Sequence, residues 1–146
     1  MKLLKIIPLL FFLCFFAEVR GQASNKTAQI AILPTGITKV RINAPSNRIE
    51  IFKTKGTRIS IETAVRINAG TLPLLDYLVK SGRYELDVLV DGQANILTLS
   101  PPKSNNVLLV KGEECAEVIT YKIHIPETVQ YIETLNTNQG DFVPHQ

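Results

Sequence analysis

The densest group of reactive side chains lies in the segment 112–117, which holds the three carboxylates of Glu113, Glu114 and Glu117 beside the thiol of Cys115. Carboxylates and a thiolate can ligate a metal ion. A zinc site, however, takes two or more Cys or His ligands, and a calcium loop alternates oxygen ligands in a longer pattern. We therefore predict no metal site and no cofactor. Glu113, Glu114 and Glu117 stay as candidate binding residues on an exposed turn, with Cys115 facing inward.

A second possible chemistry pairs Cys115 as nucleophile with His124 as base. The two residues are nine positions apart in one predicted strand segment, which corresponds to roughly 30 Å of extended chain, far beyond hydrogen-bond reach. No Ser-centred nucleophile elbow, phosphate-binding Gly loop or His-Glu-x-x-His helix occurs in the sequence. We predict no catalytic residue. Paired carboxylates of a hydrolase depend on the fold and stay open as an alternative.

The N-terminus has the pattern of a secretory signal peptide. Lys2 and Lys5 precede an apolar run over 6–17, after which polar residues return. A run of 12 residues is too short to span a bilayer, which needs about 20. We predict cleavage after Gly21, or alternatively after Ala23, and a mature protein that is secreted, periplasmic or at the cell surface.

Removal of residues 1–21 changes the charge and the cysteine count. Three basic residues and one acidic residue are lost, so 13 basic and 12 acidic residues remain and the net charge falls from +3 to +1. Cys115 becomes the sole cysteine, which excludes an internal disulfide. The low net charge and the lack of aromatic residues among the basic ones argue against nucleic acid as a partner. No second apolar run of membrane length follows, so we predict no transmembrane span after signal removal.

The remaining charge is unevenly distributed. Residues 39–58 carry a balance of +5, and residues 113–133 carry −4. The basic half can meet an anionic polysaccharide or an acidic partner. The alternative is that both segments are solvated strand faces whose charges compensate each other across a sheet.

Most of the chain after the signal has the pattern of β-strands. Residues 58–67 alternate strictly between apolar and polar side chains. Residues 83–91 do so with the exception of Leu89, and residues 118–125 repeat the pattern. Shorter strands are predicted at 28–33, 37–42, 48–53, 95–99, 106–110 and 129–135. Because residues 107–110 are apolar on both faces, we predict a central position for that strand. Turn signals separate these runs at the spacing of an all-β domain.

One segment has helical spacing instead. Apolar residues at Leu74, Leu75, Leu78 and Val79 fall on one face of a helix. Thr71 can cap the start of this helix. We predict one short helix near 72–80 that packs on the sheet, since a single lysine is too little charge for a membrane-binding helix.

Two stretches resemble the adhesin-like β-solenoid families of bacterial envelope proteins. Residues 41–51 (Arg-Ile-Asn-Ala-Pro-Ser-Asn-Arg-Ile-Glu-Ile) are similar to the opening rung of those proteins. Residues 121–142 contain a strand ending in Ile-Pro, a second strand and a Gly-Asp turn. The resemblance implies an extracytoplasmic, non-enzymatic β-domain and transfers no catalytic residues. The helix near 72–80 departs from the pattern of the families.

The sequence thus predicts a signal peptide over 1–21 and a single β-rich domain over 22–146. The fold is expected to be mainly β, as a compact sandwich-like or short β-solenoid domain with one short helix. The expected function is non-catalytic binding of an envelope protein or a polysaccharide in the cell envelope or at the cell surface. An envelope hydrolase and a structural subunit of an envelope assembly are the alternatives. Edge strands offer a route to homo-oligomers, and a glycan site is expected to expose one of Tyr77, Tyr84, Tyr121 and Tyr131.

Overall fold

The computed structural model describes residues 22–44, 48–103 and 106–133. The predicted signal peptide and the Gly-Asp turn near residue 140 lie outside these ranges. The described elements are β1 (Ala23–Ile32), β2 (Lys39–Ile42), β3 (Ile49–Thr54), β4 (Arg58–Ile67), α1 (Leu72–Lys80), β5 (Asp87–Asp91), β6 (Ile96–Ser100), β7 (Leu109–Val110), β8 (Glu113–Glu114), β9 (Glu117–Pro126) and β10 (Gln130–Glu133). The predicted mainly-β class with a short helix near 72–80 is confirmed.

Two four-stranded sheets face each other. The long sheet has the order β1-β4-β9-β3 and contains three ten-residue strands, while the short sheet has the order β10-β2-β6-β5. In the central strands β4, β9, β2 and β6 the facing side chains are the alternate, mainly apolar residues, as expected where one face of each sheet is buried. The central members are at most 2% exposed: Val40, Ile42, Leu97 and Leu99 of the short sheet and Ile59, Ile61, Ile123 and Ile125 of the long sheet.

The strand directions distinguish between the two predicted architectures, a sandwich-like domain and a short β-solenoid. The pairs β1–β4, β4–β9 and β5–β6 are antiparallel, whereas β3–β9, β10–β2 and β2–β6 are parallel. A solenoid stacks equivalent strands of successive repeats in one direction. The mixture of directions and the face-to-face packing of two sheets therefore correspond to the sandwich-like form.

Helix α1 covers the end of the long sheet beyond the core between the sheets. Leu75 and Leu78 of the helix pack with Val65 and Ile67 of β4 in a second buried cluster. The Thr71 hydroxyl accepts a hydrogen bond from the Leu74 N–H at 3.4 Å, which satisfies one of the free donors of the first turn. The helical spacing read from the sequence thus reflects a real buried face.

The predicted strand over 83–91 is too long. Strand β5 begins only at Asp87, and Tyr84 lies in the turn after α1. Val88 and Val90, predicted to face inward, are 38% and 50% exposed. Since β5 is the last strand of the short sheet, its inward face lacks a neighbour on one side.

The central strand predicted over 106–110 is also wrong. Strand β7 contains two residues and pairs only with β8, in a separate two-stranded ribbon. Val107 and Leu109 are both more than 60% exposed. A continuous apolar run indicates burial on both faces only where other strands flank it, and β7 has a single partner among the described residues.

Candidate binding groove

The structure separates the three candidate glutamates of segment 112–117. Glu113 and Glu114 form β8 and are exposed, whereas Glu117 opens β9 and turns its side chain inward. Within residues 22–44, 48–103 and 106–133, no three His, Cys, Asp or Glu side chains are grouped to hold a metal ion. The segment therefore supplies a ribbon and a strand end, and its carboxylates do not converge on one ligand.

Glu117 belongs to a shielded polar network. Arg83 donates from Nε to Oε1 and from Nη2 to Oε2 of Glu117, both at 2.8 Å, and the Tyr84 hydroxyl donates to Oε1 at 2.7 Å. Burial acts to raise the pKa of Glu117, but the hydrogen bonds from Arg83 and Tyr84 outweigh it and leave this pKa below its ordinary value. Burial and the bond to Glu117 raise the pKa of Tyr84 far above its ordinary value. The network ties the turn after α1 to the start of β9, which is a structural role.

Cys115 and His124 do not form a catalytic pair. The Cys115 thiol is buried in the cluster under α1, as predicted, with Sγ 2.8 Å from the Ala69 carbonyl oxygen. His124 lies on the opposite, solvent-facing side of the long sheet, where Nε2 is 3.7 Å from Oε1 of Glu62. The sheet itself separates the two side chains.

A continuous groove runs along the solvent-facing side of the long sheet. Three adjoining depressions of about 530, 300 and 500 Å³ lie on this face. The first and second share Lys26, Ala64 and Thr120, and the second and third share Glu62. We call this feature the outer groove.

Small side chains form two stretches of the floor of the outer groove, separated by Glu62. Ala64 lies directly between Lys26 of β1 and Thr120 of β9, and Ser60 lies between Ile30 and His124. Because a methyl or hydroxymethyl group rises little above the sheet, the longer neighbours become walls. From Arg58 to Arg66 strand β4 extends over roughly 27 Å, a length suited to an extended polymer.

The charges in the groove are only partly paired. Glu50 is 3.7 Å from Lys122, and Glu62 is 3.7 Å from His124. No ion pair of the described residues includes Lys26, Arg58 or Arg66. The Glu50–Lys122 contact does join segments 39–58 and 113–133 across the sheet. It uses the minority charge of each segment, however, so the basic excess of residues 39–58 is not neutralised there.

An aromatic platform lies beside the third depression of the groove, next to His124, which lines it. Phe52 of β3 is 42% exposed and stacks on His124, with ring centroids 5.1 Å apart and an interplanar angle of 22°. Only tyrosines were predicted as candidate aromatic residues, and two of them, Tyr84 and Tyr121, are buried. Phe52 could have been found from the alternation over 48–53, which places it on the face opposite Ile49 and Ile51.

No helix in the described part of the chain has the length and apolar character to cross a membrane. Comparisons with protein families, with curated proteins and with solved structures found no match for this chain.

Proposed function

We propose that this protein is an exported, non-catalytic domain that binds an extended glycan along the outer groove. The observation that carries the proposal is the combination of a long trough, whose floor has small side chains at Ser60 and Ala64 on either side of Glu62, with an exposed aromatic platform beside one end. The apolar face of a sugar ring packs on an aromatic side chain such as Phe52. An extended chain of sugars fits a long, open trough better than a compact ligand does.

The polar walls of the groove suit a polyhydroxylated ligand. Ser60 and Thr120 each offer a hydroxyl that can donate and accept. Lys26 and Arg58 add donors, and Glu62 adds acceptors, along the same trough. Since the groove is shallow and open to water, its affinity per sugar is expected to be modest and to grow with the number of sugars bound.

Export is supported by the sequence pattern of the first 21 residues. An extracytoplasmic domain meets envelope or surface polysaccharide directly. The proposed partner is therefore a polysaccharide of the cell envelope or the cell surface.

The hydrolase alternative is less well supported. Its two groove carboxylates would be Glu50 and Glu62, which flank Lys122 on three adjacent strands. Both side chains are more than half exposed, and Glu50 lies beside Lys122 and Glu62 beside His124. A hydrolytic site encloses its reacting bond and excludes bulk water, whereas this groove leaves the bond above Glu50 and Glu62 open to solvent.

The test is to fill the floor of the groove. The native protein is first applied to a panel of immobilised polysaccharides to identify those that retain it. Substitution Ala64→Phe places a large side chain between Lys26 and Thr120, and we expect it to abolish retention on those polysaccharides. Thr98→Phe, on the outer face of the short sheet, is the matched control and should keep native retention. The proposal fails if no polysaccharide is retained, or if Ala64→Phe binds as well as the native protein while thermal unfolding shows both to be folded.

A protein partner is a second candidate, favoured by the open side of the sandwich where β1 and β5 end their sheets. Ile32 is 77% exposed and Leu89 is 57% exposed on these strands. An edge strand with exposed apolar residues can accept a strand from another chain. Antiparallel self-pairing of β5 about Leu89 would place Asp87 against Asp91, so the palindromic Asp-Val-Leu-Val-Asp strand disfavours a second copy in that register.

A photo-crosslinking residue at Leu89 tests this candidate in an envelope extract. We expect one cross-linked protein segment at position 89 and none when the same residue replaces Glu127, which is exposed in the turn after β9 and away from β5. Equal cross-linking from both positions would reject a specific edge interaction.

A further inference from the structure

We infer that the outer groove selects acidic glycans and holds their carboxylate or sulfate group between Lys26 and Arg66. The inference rests on the proposed function and names its ligand class. The two cations line the depression of about 530 Å³ at the end of the groove away from Phe52. Ser24 and Thr120 line the same depression with hydroxyl groups.

Strand register brings the two cations together. Ser24 pairs with Arg66 and Lys26 pairs with Ala64, so Lys26 and Arg66 are diagonal neighbours on the same face of β1 and β4. Diagonal positions on adjacent strands lie roughly 7–8 Å apart, within reach of two long side chains. One anionic group can therefore contact both cations while the small Ala64 leaves room beneath it.

The charge balance of this face favours an anion. Its two carboxylates, Glu50 and Glu62, lie with Lys122 in the central cross-strand row, and Glu62 shares the second depression with Lys26. Lys26, Arg58, Arg66 and Lys122 outnumber these two carboxylates on the face. No carboxylate lines the depression, so Lys26 and Arg66 keep a positive potential that an anionic sugar can neutralise.

The chemistry of the two cations is complementary. A guanidinium forms two parallel hydrogen bonds with a carboxylate or sulfate, while an ammonium acts as a mobile point charge. The hydroxyls of Ser24 and Thr120 can donate to the remaining oxygens. A neutral glycan can contact the floor and the aromatic platform, but it has no anionic group to pair with Lys26 and Arg66.

The spacing also sets a minimum ligand length. Ser60 lies in the same cross-strand row as His124 and Phe52, and it precedes Arg66 by six residues on β4. This separation is roughly 20 Å along the strand. A glycan that reaches both the platform and the cationic depression must contain several sugars.

The test compares one polymer backbone with and without charge. Binding of the purified protein to dextran, carboxymethyl-dextran and dextran sulfate is measured by biolayer interferometry, with the native chain, the variant Lys26→Gln/Arg66→Gln and the control Lys39→Gln/Arg41→Gln. Lys39 and Arg41 are likewise two neighbouring outward-facing cations, but both lie on one strand, β2, of the short sheet. The control removes the same total charge.

We expect the acidic dextrans to bind the native chain at least about tenfold more tightly than dextran, and to lose most of this advantage at high salt. The Lys26→Gln/Arg66→Gln variant loses two exposed charge contacts, so its affinity for the acidic dextrans should fall about tenfold. The control variant should bind like the native chain. Dextran binding, where present, should be equal in all three proteins.

Four results would overturn the inference, the third of which is measured with duplex DNA in the same assay. Equal binding of charged and neutral dextran, with no effect of Lys26→Gln/Arg66→Gln, rejects acidic selection and leaves the proposed glycan function standing. An equal loss in both variants assigns the effect to total charge. Binding of duplex DNA as tight as that of dextran sulfate identifies a general polyanion surface. If the native chain binds none of the polysaccharides, here or in the panel, the proposed function fails together with the inference.

Discussion

The inner and outer faces of the long sheet come from the same strands and differ in almost every physical respect. On the inner face, Ile59 and Ile61 of β4 pack against Ile123 of β9 with no solvent exposure. On the outer face, the intervening residues Ser60 and Glu62 face water and form the groove. One alternating strand pattern thus provides a uniform set of large apolar groups for packing and a mixture of small and charged groups that faces solvent.

The polar interactions of the two faces show the same contrast. Arg83 and Glu117 form two bonds of 2.8 Å with side chains less than one-fifth exposed. The outer pairs Glu50–Lys122 and Glu62–His124 are 3.7 Å long, and their side chains are 36–61% exposed. Shielded bidentate pairs cost much stability when broken, whereas exposed pairs contribute little. We therefore expect substitutions on the inner side to act on stability and substitutions on the outer face to act on binding.

The largest difference is expected between two adjacent residues of β4. Ile61→Ala removes a fully buried side chain and leaves a cavity, so the free energy of unfolding should fall by about 2–5 kcal/mol. Glu62→Ala, one position away on the outer face, should change it by less than about 0.5 kcal/mol. Urea unfolding monitored by circular dichroism measures both. Similar losses for the two variants would contradict the division between the faces.

Breaking the shielded network is expected to have the next largest effect. Glu117→Gln leaves Arg83 without its carboxylate and should cost about 2 kcal/mol near pH 7. Because the folded pKa of Glu117 lies below its ordinary 4.5, its stabilising contribution is complete above that value and is lost as the pH falls through the folded pKa. Denaturant unfolding at pH 7 and pH 3 should show a smaller difference between variant and native protein at pH 3. Glu113→Gln, on the exposed β8, is the control and should have little effect at either pH.

Tyr84 extends the same comparison to alkaline solution. Its folded pKa is raised, so folding favours the neutral phenol, and the native protein should lose stability as the pH rises above the ordinary 10.0. Tyr84→Phe should cost about 1 kcal/mol at neutral pH through the lost bond to Glu117. Thermal unfolding from pH 8 to pH 11 should show a shallower decline for this variant. A parallel decline would mean that Tyr84 does not control the alkaline loss.

The aromatic platform tests the outer face alone. Phe52→Ala should weaken glycan binding about five- to tenfold through loss of stacking. Its effect on stability should be below about 1 kcal/mol, because the ring is 42% exposed in the folded protein. Calorimetric unfolding and glycan retention, measured on the same sample, separate the two effects. A Phe52→Ala variant with a clearly lower melting temperature but native glycan retention would contradict a role for Phe52 in binding.

The smallest effect is expected for Glu50→Gln. It removes the exposed contact with Lys122, and the free energy of unfolding should change by less than about 0.5 kcal/mol. Binding of an acidic glycan should be unchanged or slightly tighter, since one negative charge leaves the groove face. Weaker binding of carboxymethyl-dextran by this variant would indicate that Glu50 accepts hydrogen bonds from the ligand.

The sequence by itself determined the local elements and the orientation of their side chains. The strands at 58–67 and 118–125 lie within β4 and β9, the helix was predicted near 72–80 and spans Leu72–Lys80, and Cys115 faces inward. These features depend on residues two to four positions apart, because a strand repeats every two residues and a helix every 3.6. The alternation also assigns each residue of β4 to one face before any partner strand is known.

Only the tertiary structure decided which strands are neighbours, and with them the groove. Lys26 and Arg66 are 40 positions apart in the chain, and Arg83 meets Glu117 over 34 positions. The alternation in 83–91 could not show that β5 ends its sheet, and the carboxylates of 112–117 could not show that Glu117 turns away from Glu113. The physical reason is that a strand pattern specifies a buried face, whereas strand order depends on how all the faces pack at once.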